Sequence, residues 1–503
     1  CQSVKDHNYC CINTRHHPIS FTMFRLLHRA IPRQRTAAML RPSLLSRHFS
    51  TNIISSNFEH LDISFNAKNL PDMLMAKFSD DDVKDRTAFV NGMTGDVKTY
   101  GTLLKETNSF ANGLVEMGIQ KGDCVAIMAP THLHYFTSFV GVALAGGFTT
   151  PINPSYTETE VTHQLNLTNP KLIITHEMCQ DVVMKAAVER QIPVISMGKS
   201  DQSCGNTISI DEIIAQNPST PPLTHVSLDD TLTVPFSSGT SGQPKGVELT
   251  HRNVLANIVQ MKALDSSFNE DTVILMPLPM FHIYGMVIGM ILPCWTQSKT
   301  VLMSSFDLVQ FLELIEKHKV SKTFIVPPIL LALAKHPIID NYDLSSLDGV
   351  SCGAAPLGDN TAQAVETRLD CVVKQGFGMT ELSPVGSMIP EQCPVPPPPA
   401  SSGMLLPGTE AIILDIDSRE KEFPFVPGEG TKEGELLIRG PQVMKGYFRN
   451  EEATRATIRP DKFMHTGRYS LCPCPNIMSL CNILEYVGPN TLMPVIVNVL
   501  YCQ

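Results

Sequence analysis

The sequence predicts an α/β fold with a mainly parallel sheet. Between residues 99 and 230, a helical pattern at residues 103–117 alternates with short apolar runs at residues 125–128 and 172–175. Turn signals such as Gly122-Asp123 separate these segments. Strands and helices that alternate in this order are typical of a parallel sheet covered by its crossover helices.

A β-rich region is predicted after the α/β part. Residues 410–415 and 434–440 have the apolar pattern of strands between glycine turns, with no long helix separating them. The Pro-rich stretch at residues 393–403 is expected to be a loop, because proline lacks a backbone donor and stiffens the chain. We therefore expect a small β-rich subdomain over about residues 401–465.

Composition indicates a globular protein that has no general attraction to nucleic acid. The 503 residues are 43% hydrophobic, and 39 Lys and Arg against 49 Asp and Glu give a net charge of −10. An anionic ligand must therefore be held by local geometry. No apolar stretch reaches the roughly 20 residues of a membrane-spanning helix, so no transmembrane segment is expected. Seven of the 14 cysteines are scattered singly through the middle of the chain, which favours a reducing compartment over a disulfide framework.

The two ends differ in composition from the middle. The first residue is Cys and the first available initiator is Met23, so residues 1–22 are expected to be untranslated or non-native. Residues 23–50 contain six Arg and no Asp or Glu, which predicts a mitochondrial transit peptide; a disordered basic tail is the alternative. The predicted location is mitochondrial, with peroxisome or cytoplasm as alternatives.

The segment with the strongest chemical signal follows the apolar run at residues 232–234. Its glycines allow successive backbone N–H groups to turn toward one anion, its hydroxyls add donors, and its lysine adds a positive charge. Such a loop suits a polyphosphate, although it lacks the spacing of an ordinary P-loop and a simple linker is the alternative. The residues concerned are Ser237, Ser238, Gly239, Thr240, Ser241, Gly242 and Lys245.

Three further segments gain meaning from their order along the chain. Residues 278–285 contain His282, which taken alone is a packing residue more often than a catalyst. The small residues at 351–358 permit close approach of a flat ligand such as adenine, or simply form a tight turn between strand and helix. Residues 375–382 supply the hydroxyl of Thr380 and the carboxylate of Glu381, groups that can contact a phosphate and Mg²⁺, although such a pair is usually a surface feature.

Together, these four segments resemble the core motifs of the adenylate-forming superfamily, and the resemblance is closest to 4-coumarate:CoA ligases and related acyl-CoA synthetases. It covers residues 58–467, with further support from residues 122–128, 145–154, 406–410 and 434–447. The resemblance implies a large AMP-dependent synthetase/ligase domain of two mainly parallel α/β subdomains and a small β-rich subdomain. The family adds a small C-terminal α+β domain.

The resemblance also implies a role for each matching residue. The loop from Ser237 to Lys245 handles the β- and γ-phosphates, Thr380 contacts the α-phosphate, and Glu381 and Thr240 bind Mg²⁺. His282 stands where the carboxylate and coenzyme A enter, and it joins Thr380 and Lys245 as the implied catalytic set. The residues implied to flank adenine are Gly353, Ala354, Ala355, Pro356, Gln375, Gly376 and Phe377, and those implied to line the acyl pocket are His282, Tyr284, Gly376, Pro384 and Val385.

The implied activity is an acid:CoA ligase with ATP, a carboxylic acid and coenzyme A as substrates and Mg²⁺ as cofactor. A fatty or aromatic carboxylate attacks the α-phosphorus of ATP, and positioning and charge neutralisation account for most of the catalysis. Pyrophosphate leaves an acyl adenylate, which the coenzyme A thiol then attacks. A related adenylation enzyme with a different acceptor is one alternative.

The pattern departs from the family after residue 467. The family reads His-Thr-Gly-Asp, and its Asp binds both ribose hydroxyls; this chain reads His465-Thr466-Gly467-Arg468. Residues 468–503 are expected to be an aberrant tail that replaces the C-terminal domain and its catalytic lysine. We therefore expect weak ATP binding and impaired turnover, and a truncated isoform that binds ATP or acyl groups without catalysis is a further alternative.

Overall fold

The protein is described here by a computed structural model. It describes residues 53–56, 67–198, 207–237, 243–355, 359–391, 401–415, 418, 422, 434–471 and 481–485. The predicted transit peptide at residues 23–50, residues 1–22 and most of the Pro-rich stretch lie outside the described residues, as do residues 472–480 and 486–503 of the expected tail.

The helices and strands alternate along most of the described chain. The helices are α1 (Leu70–Met75), α2 (Tyr100–Glu116), α3 (Tyr135–Leu144), α4 (Glu158–Thr168), α5 (Gln180–Val188), α6 (Ile210–Gln216), α7 (His251–Leu264), α8 (Leu292–Thr296), α9 (Leu308–His318), α10 (Pro327–Lys335), α11 (Asp359–Leu369) and α12 (Glu451–Thr457). A π-helix spans Gly285–Ile291, and short 3-10 turns span Glu177–Cys179, Pro337–Asn341 and Thr380–Leu382.

The strands form three sheets. In chain order they are β1 (Ile54–Ser55), β2 (Thr87–Asn91), β3 (Val97–Thr99), β4 (Cys124–Met128), β5 (Phe148–Ile152), β6 (Leu172–Thr175), β7 (Val194–Ser196), β8 (Ile208–Ser209), β9 (Thr231–Thr233), β10 (Phe236–Ser237), β11 (Lys245–Thr250), β12 (Val273–Met276), β13 (Lys299–Leu302), β14 (Lys322–Ile325), β15 (Gly349–Cys352), β16 (Val372–Gly378), β17 (Val385–Met388), β18 (Met404–Leu405), β19 (Glu410–Asp415), β20 (Gly434–Arg439), β21 (Gly446–Tyr447), β22 (Met464–Leu471) and β23 (Cys481–Glu485).

The first large sheet has the strand order β10-β11-β9-β5-β4-β6-β7-β8, and β21 pairs with β11. The strands from β9 to β8 run parallel, whereas β10, β11 and β21 form antiparallel pairs at one end. All five residues of β4 and of β5 are buried, as expected for parallel strands covered on both faces. The predicted strands at 125–128 and 172–175 and the predicted helix at 103–117 correspond to β4, β6 and α2.

The second large sheet has the order β18-β17-β16-β15-β14-β12-β13-β2-β3. Its six central strands, from β16 to β2, are parallel, and antiparallel strands occupy both edges. The carboxyl ends of parallel strands meet at one edge of a sheet, so segments that are far apart in sequence but follow β15 and β16 become neighbours.

The third sheet is small and antiparallel, with the order β1-β19-β20-β22-β23. Strands β19 and β20 correspond to the predicted strands at 410–415 and 434–440. The prediction of two parallel α/β layers with a small β-rich part is confirmed. Strand β22 continues past residue 467 and pairs with β23, so regular structure extends into the segment expected to be an aberrant tail.

Three helices that follow strands of the first large sheet begin at short polar motifs in the sequence. Helices α4, α6 and α7 each begin with a capping box, in which the hydroxyl of the N-cap residue and a side chain three residues later satisfy each other's backbone amides. The pairs are Thr157–Glu160, Ser209–Glu212 and Thr250–Asn253. These short polar signals fix where each crossover helix leaves its strand.

One apolar core connects the three sheets, because a single cluster of buried side chains contains Ile127 of β4, Ile274 of β12 and Leu436 of β20. The cysteines of the described region that are free are all buried: Cys124, Cys179, Cys294, Cys352 and Cys371. Within the part of the chain that the structure describes, no helix is long and apolar enough to cross a membrane.

Candidate functional site

A cavity of about 850 Å³ is lined by segments from all three sheets. The first large sheet contributes Phe236–Ser237 and Lys245, and the small sheet contributes Glu435 and residues 465–468. The second large sheet and its loops contribute the rest of the polar wall. These segments are residues 281–284, 351–354, 374–381 and 384–385. All four segments singled out in the sequence therefore meet at one cavity.

The two ends of the predicted phosphate loop lie on paired antiparallel strands. Ser237 at the end of β10 pairs with Lys245 at the start of β11. The residues between them that were assigned to phosphate binding lie outside the described residues: Ser238, Gly239, Thr240, Ser241 and Gly242. The structure thus places the two ends of the loop at the cavity.

The carboxylate of Glu381 is held by two hydroxyl groups. The Ser237 hydroxyl donates to Glu381 Oε1 at 2.9 Å, and the Tyr447 hydroxyl donates to the same oxygen at 3.0 Å. Glu381 is only 4% exposed. Thr380 immediately precedes it in a single 3-10 turn, so its hydroxyl and the carboxylate reach the cavity together.

Tyr447 was not predicted as a site residue. Partial burial and the Glu381 carboxylate raise the pKa of the Tyr447 hydroxyl well above its usual range, so it remains a donor. The ammonium group of Lys245 lies 5.0 Å from the centre of the Tyr447 ring, within cation–π range. The sequence signal for Tyr447 was its place in residues 434–447, one of the supporting stretches.

The predicted adenine wall lies on two neighbouring parallel strands. Gly353 and Ala354 directly follow β15, and Gln375 on β16 stands opposite Cys352. A Cβ atom at Gly376 would lie 2.9 Å from the Ser387 carbonyl oxygen, so this position requires glycine for close backbone approach.

Of the other residues predicted for the adenine wall, Phe377 lines the cavity, Ala355 is exposed beside it, and Pro356 lies outside the described residues.

His282 faces the cavity, and its ring has a defined orientation. The Tyr284 backbone amide donates to His282 Nδ1 at 3.2 Å, so in the neutral ring the proton sits on Nε2. The surrounding protein desolvates the imidazolium and lowers the pKa of His282. A neutral imidazole with its N–H on Nε2 can donate to a carboxylate.

Besides the predicted Tyr284, two aromatic rings that the sequence analysis did not single out line the cavity, those of Phe268 and Phe324. Phe268 and Phe324 stack with ring centroids 5.7 Å apart, and the Tyr284 ring meets Phe324 edge-on at 6.3 Å. Pro384 and Val385 form another part of the wall. Flat aromatic surfaces arranged in this way favour a planar ligand.

A buried ion pair supports the same wall. Lys374 Nζ lies 2.6 Å from Asp265 Oδ2, and the two residues are 8% and 1% exposed. Lys374 lines the cavity, while Asp265 also accepts hydrogen bonds from the Ser267 hydroxyl and amide. Asp265 lies at the end of α7 and Lys374 on β16, so the pair is invisible to sequence spacing.

Residues 465–468 of strand β22 carry the departure from the family pattern. Glu435 accepts hydrogen bonds from the Gly467 amide at 3.1 Å and lies 3.1 Å from His465 Nδ1. The Thr466 hydroxyl donates to the Leu436 carbonyl at 2.6 Å and accepts from the Arg468 amide at 3.1 Å. Arg468 is half-buried and lines the cavity.

The described residues contain no group of three or more His, Cys, Asp or Glu side chains arranged to hold a metal ion. Of the two carboxylates among these residues that line the cavity, Glu435 is engaged by the Gly467 amide, and Glu381 lies beside Ser237 and Thr380. Mg²⁺ in nucleotide sites is commonly bound by one or two carboxylates together with substrate phosphates. The geometry around Glu381 fits that arrangement.

Comparisons with known proteins agree on one family. The AMP-binding enzyme family matches residues 79–448. The chain is 36% identical over 393 residues to 4-coumarate–CoA ligase 1 of Petroselinum crispum, which covers 76% of this chain and 70% of that protein. It is 35% identical over 401 residues to a probable 4-coumarate–CoA ligase 1 of Dictyostelium discoideum, and this match covers 76% of this chain and 71% of that protein. The solved structure of ATP-bound MatB from Rhodopseudomonas palustris superposes with a TM-score of 0.70 at 25% identity, over 80% of this chain and 77% of that one.

Proposed function

The chain belongs to the AMP-binding enzyme family and, within it, to the adenylate-forming acid:CoA ligases, and from that premise we propose that it activates an aromatic carboxylic acid with ATP. The single observation that carries this proposal is the cavity that unites the four motif segments. Ser237, Lys245, Thr380 and Glu381 stand at its polar end, and His282 stands beside aromatic walls.

The first half-reaction joins the acid to the nucleotide. In this proposal a carboxylate oxygen of the acid attacks the α-phosphorus, the bond from that phosphorus to the bridging oxygen breaks, and pyrophosphate leaves. Lys245 supplies positive charge beside the β- and γ-phosphates, and Thr380 donates to the α-phosphate. The neutral His282 ring donates from Nε2 to the acid and orients it. Fixed donors of this kind act chiefly by positioning and by stabilising the charge that develops.

The second half-reaction transfers the acyl group to sulfur. The coenzyme A thiol attacks the carbonyl carbon of the adenylate, loses its proton, and AMP leaves. We assign His282 to the place where the acid and thiol meet, because it lines the cavity two residues before Tyr284, whose ring meets Phe324 edge-on.

Glu381 is the proposed Mg²⁺ ligand. Mg²⁺ supplies charge that neutralises the phosphate oxygens of ATP. The contribution of this chain is a buried carboxylate whose orientation is fixed by Ser237 and Tyr447.

The aromatic walls support an aryl substrate over a fatty acid. The rings of Phe268, Phe324 and Tyr284 line the cavity, and the related plant and Dictyostelium proteins are named as 4-coumarate–CoA ligases. A fatty chain would use the same space but gain nothing from ring geometry.

Arg468 supports a second candidate, a protein that binds ATP and the acid without efficient turnover. By the resemblance, an aspartate at this position accepts hydrogen bonds from both ribose hydroxyls. A guanidinium group is a donor only and cannot replace that acceptor. The expected result is a weakly held nucleotide.

The test is ATP–pyrophosphate exchange by the full chain with 4-coumaric, benzoic and octanoic acids, together with ATP binding by calorimetry. We expect exchange with the aromatic acids and loss of exchange in Thr380→Val. Thr367→Val is the matched control, because Thr367 is an exposed helical residue outside the cavity. ATP binding without exchange in both the wild type and Arg468→Asp would favour the binding-only candidate, and no ATP binding in either would refute the proposed function.

A further inference from the structure

Glu381 is fixed at both its main chain and its side chain by one short segment. The Met444 amide donates to the Glu381 carbonyl oxygen at 2.8 Å, and the Tyr447 hydroxyl donates to Glu381 Oε1 at 3.0 Å. These contacts bridge more than 60 residues of sequence, and none of the motifs recognised in the sequence assigns a role to Tyr447. The carboxylate therefore depends on residues 444–447 for its orientation.

Tyr447 is itself firmly placed. Strand β21 pairs antiparallel with β11, so Tyr447 stands opposite Val247. The Tyr447 amide donates to the Thr454 hydroxyl at 2.9 Å, and Lys445 Nζ lies 2.7 Å from Glu248. A side chain anchored on both sides in this way delivers its hydroxyl to one position.

The contacts of Glu381 are asymmetric. Both side-chain hydrogen bonds that its carboxylate accepts from described residues fall on Oε1, from Ser237 and Tyr447. Among the described residues, no side chain donates to Oε2. The centre of the Tyr447 ring lies 5.0 Å from Lys245 Nζ. Tyr447 therefore contacts both the Glu381 carboxylate and the Lys245 ammonium group at the proposed phosphate end of the cavity.

We propose that Tyr447 is a positioning residue for the divalent cation that accompanies ATP, because its hydroxyl holds the Glu381 carboxylate in the orientation in which that carboxylate would bind the metal. This inference rests on the proposed function. A cation held by a single protein carboxylate and by nucleotide phosphates has few protein ligands, so the orientation of that carboxylate strongly affects affinity. Outer-shell donors to metal-binding carboxylates typically contribute about 10–100-fold to metal affinity.

The experiment compares the wild-type chain with Tyr447→Phe, which keeps the ring beside Lys245 and removes only the hydroxyl. ATP binding is measured by calorimetry with Mg²⁺ and again with EDTA, and Mn²⁺ binding in the presence of ATP is measured by electron paramagnetic resonance. We expect Tyr447→Phe to weaken metal-dependent binding roughly 10–100-fold and to leave ATP binding in EDTA unchanged. Tyr135→Phe is the matched control, because that buried hydroxyl has no hydrogen-bond partner among the described residues and Tyr135 does not line the cavity.

The variant Glu381→Gln separates the possible outcomes. If Tyr447 acts through Glu381, adding Tyr447→Phe to Glu381→Gln weakens Mn²⁺ binding no further. Equal weakening with Mg²⁺ and with EDTA would show a merely structural role and overturn the inference. Unchanged Mn²⁺ binding in Tyr447→Phe would also overturn it while leaving the proposed function intact. A wild type that binds ATP neither with nor without metal would refute both.

Discussion

Replacing Arg468 by Asp should tighten nucleotide binding through the ribose. Two hydrogen bonds hold the backbone of β22 that presents this residue, because Glu435 accepts from the Gly467 amide and the Thr466 hydroxyl accepts from the Arg468 amide. A substitution at 468 therefore changes the chemistry at the cavity without changing the backbone that carries it. Aspartate restores the acceptor that the family places here.

The magnitude follows from the hydrogen bonds gained. A hydrogen bond to a charged group contributes about 1.5–3 kcal/mol. One such bond to a ribose hydroxyl corresponds to roughly 10–150-fold in affinity, and the second hydroxyl adds less because both share one carboxylate. In the wild type, the positive charge of Arg468 attracts the phosphates of ATP. Adenosine has no phosphates, so its binding isolates the contribution of the ribose.

The assay is calorimetric titration of adenosine and of 2′,3′-dideoxyadenosine into the wild type and Arg468→Asp. The gain should appear with adenosine and vanish with the dideoxy ligand. Arg455→Asp, at an exposed position on α12, makes the same change in net charge as a control. Equal gains for both ligands, or no gain for adenosine, would refute the ribose argument.

Three residues outside the nucleotide contacts give predictions about stability. Lys374→Met leaves the carboxylate of Asp265 buried without its cation. We expect the free energy of unfolding, measured by urea denaturation, to fall by about 3–5 kcal/mol. Adding Asp265→Asn to this variant should recover part of the loss, and no recovery would contradict the pairing. Burial lowers the pKa of His251 to about 4, so its contribution to stability is present above pH 6.5 and is lost as the pH falls toward 4. His251→Asn should therefore remove roughly 3 kcal/mol of pH dependence between pH 7 and 4, and an unchanged pH profile would count against this cause.

The fold was predictable because its signals are local. The apolar runs at 125–128, 172–175 and 410–415 are strands in the structure, and the helical pattern at 103–117 is a helix. Each of these segments is buried along its own length or along one face, so its period appears in the sequence. The order of strands in the sheets is not local, and no pattern in the sequence revealed it.

The candidate site was predictable only where several residues stand together in a motif. Thr380 and Glu381 were found because they are adjacent and belong to a recognisable segment. Tyr447 and the pair formed by Asp265 and Lys374 were missed as site residues, because each acts on a partner 66 or more residues away. A tyrosine after glycine is common, and only β-pairing with β11 brings this one to the carboxylate.

Different parts of the chain hold the phosphate end and the ribose end of the proposed nucleotide site. We therefore expect Arg468 to affect mainly the ribose end. Two sets of hydrogen bonds hold residues 441–447. The Asn253 side chain on α7 donates to the Pro441 and Val443 carbonyl oxygens. The Ser383 hydroxyl, in the turn after Glu381, donates to the Gln442 carbonyl oxygen. The ribose end rests on Glu435 and the small sheet. Because α7 and the turn after Glu381 hold residues 441–447, we expect the phosphate end to remain organised in the wild type. Weak nucleotide binding in this chain is therefore expected to be a local loss of acceptors, which one substitution can reverse.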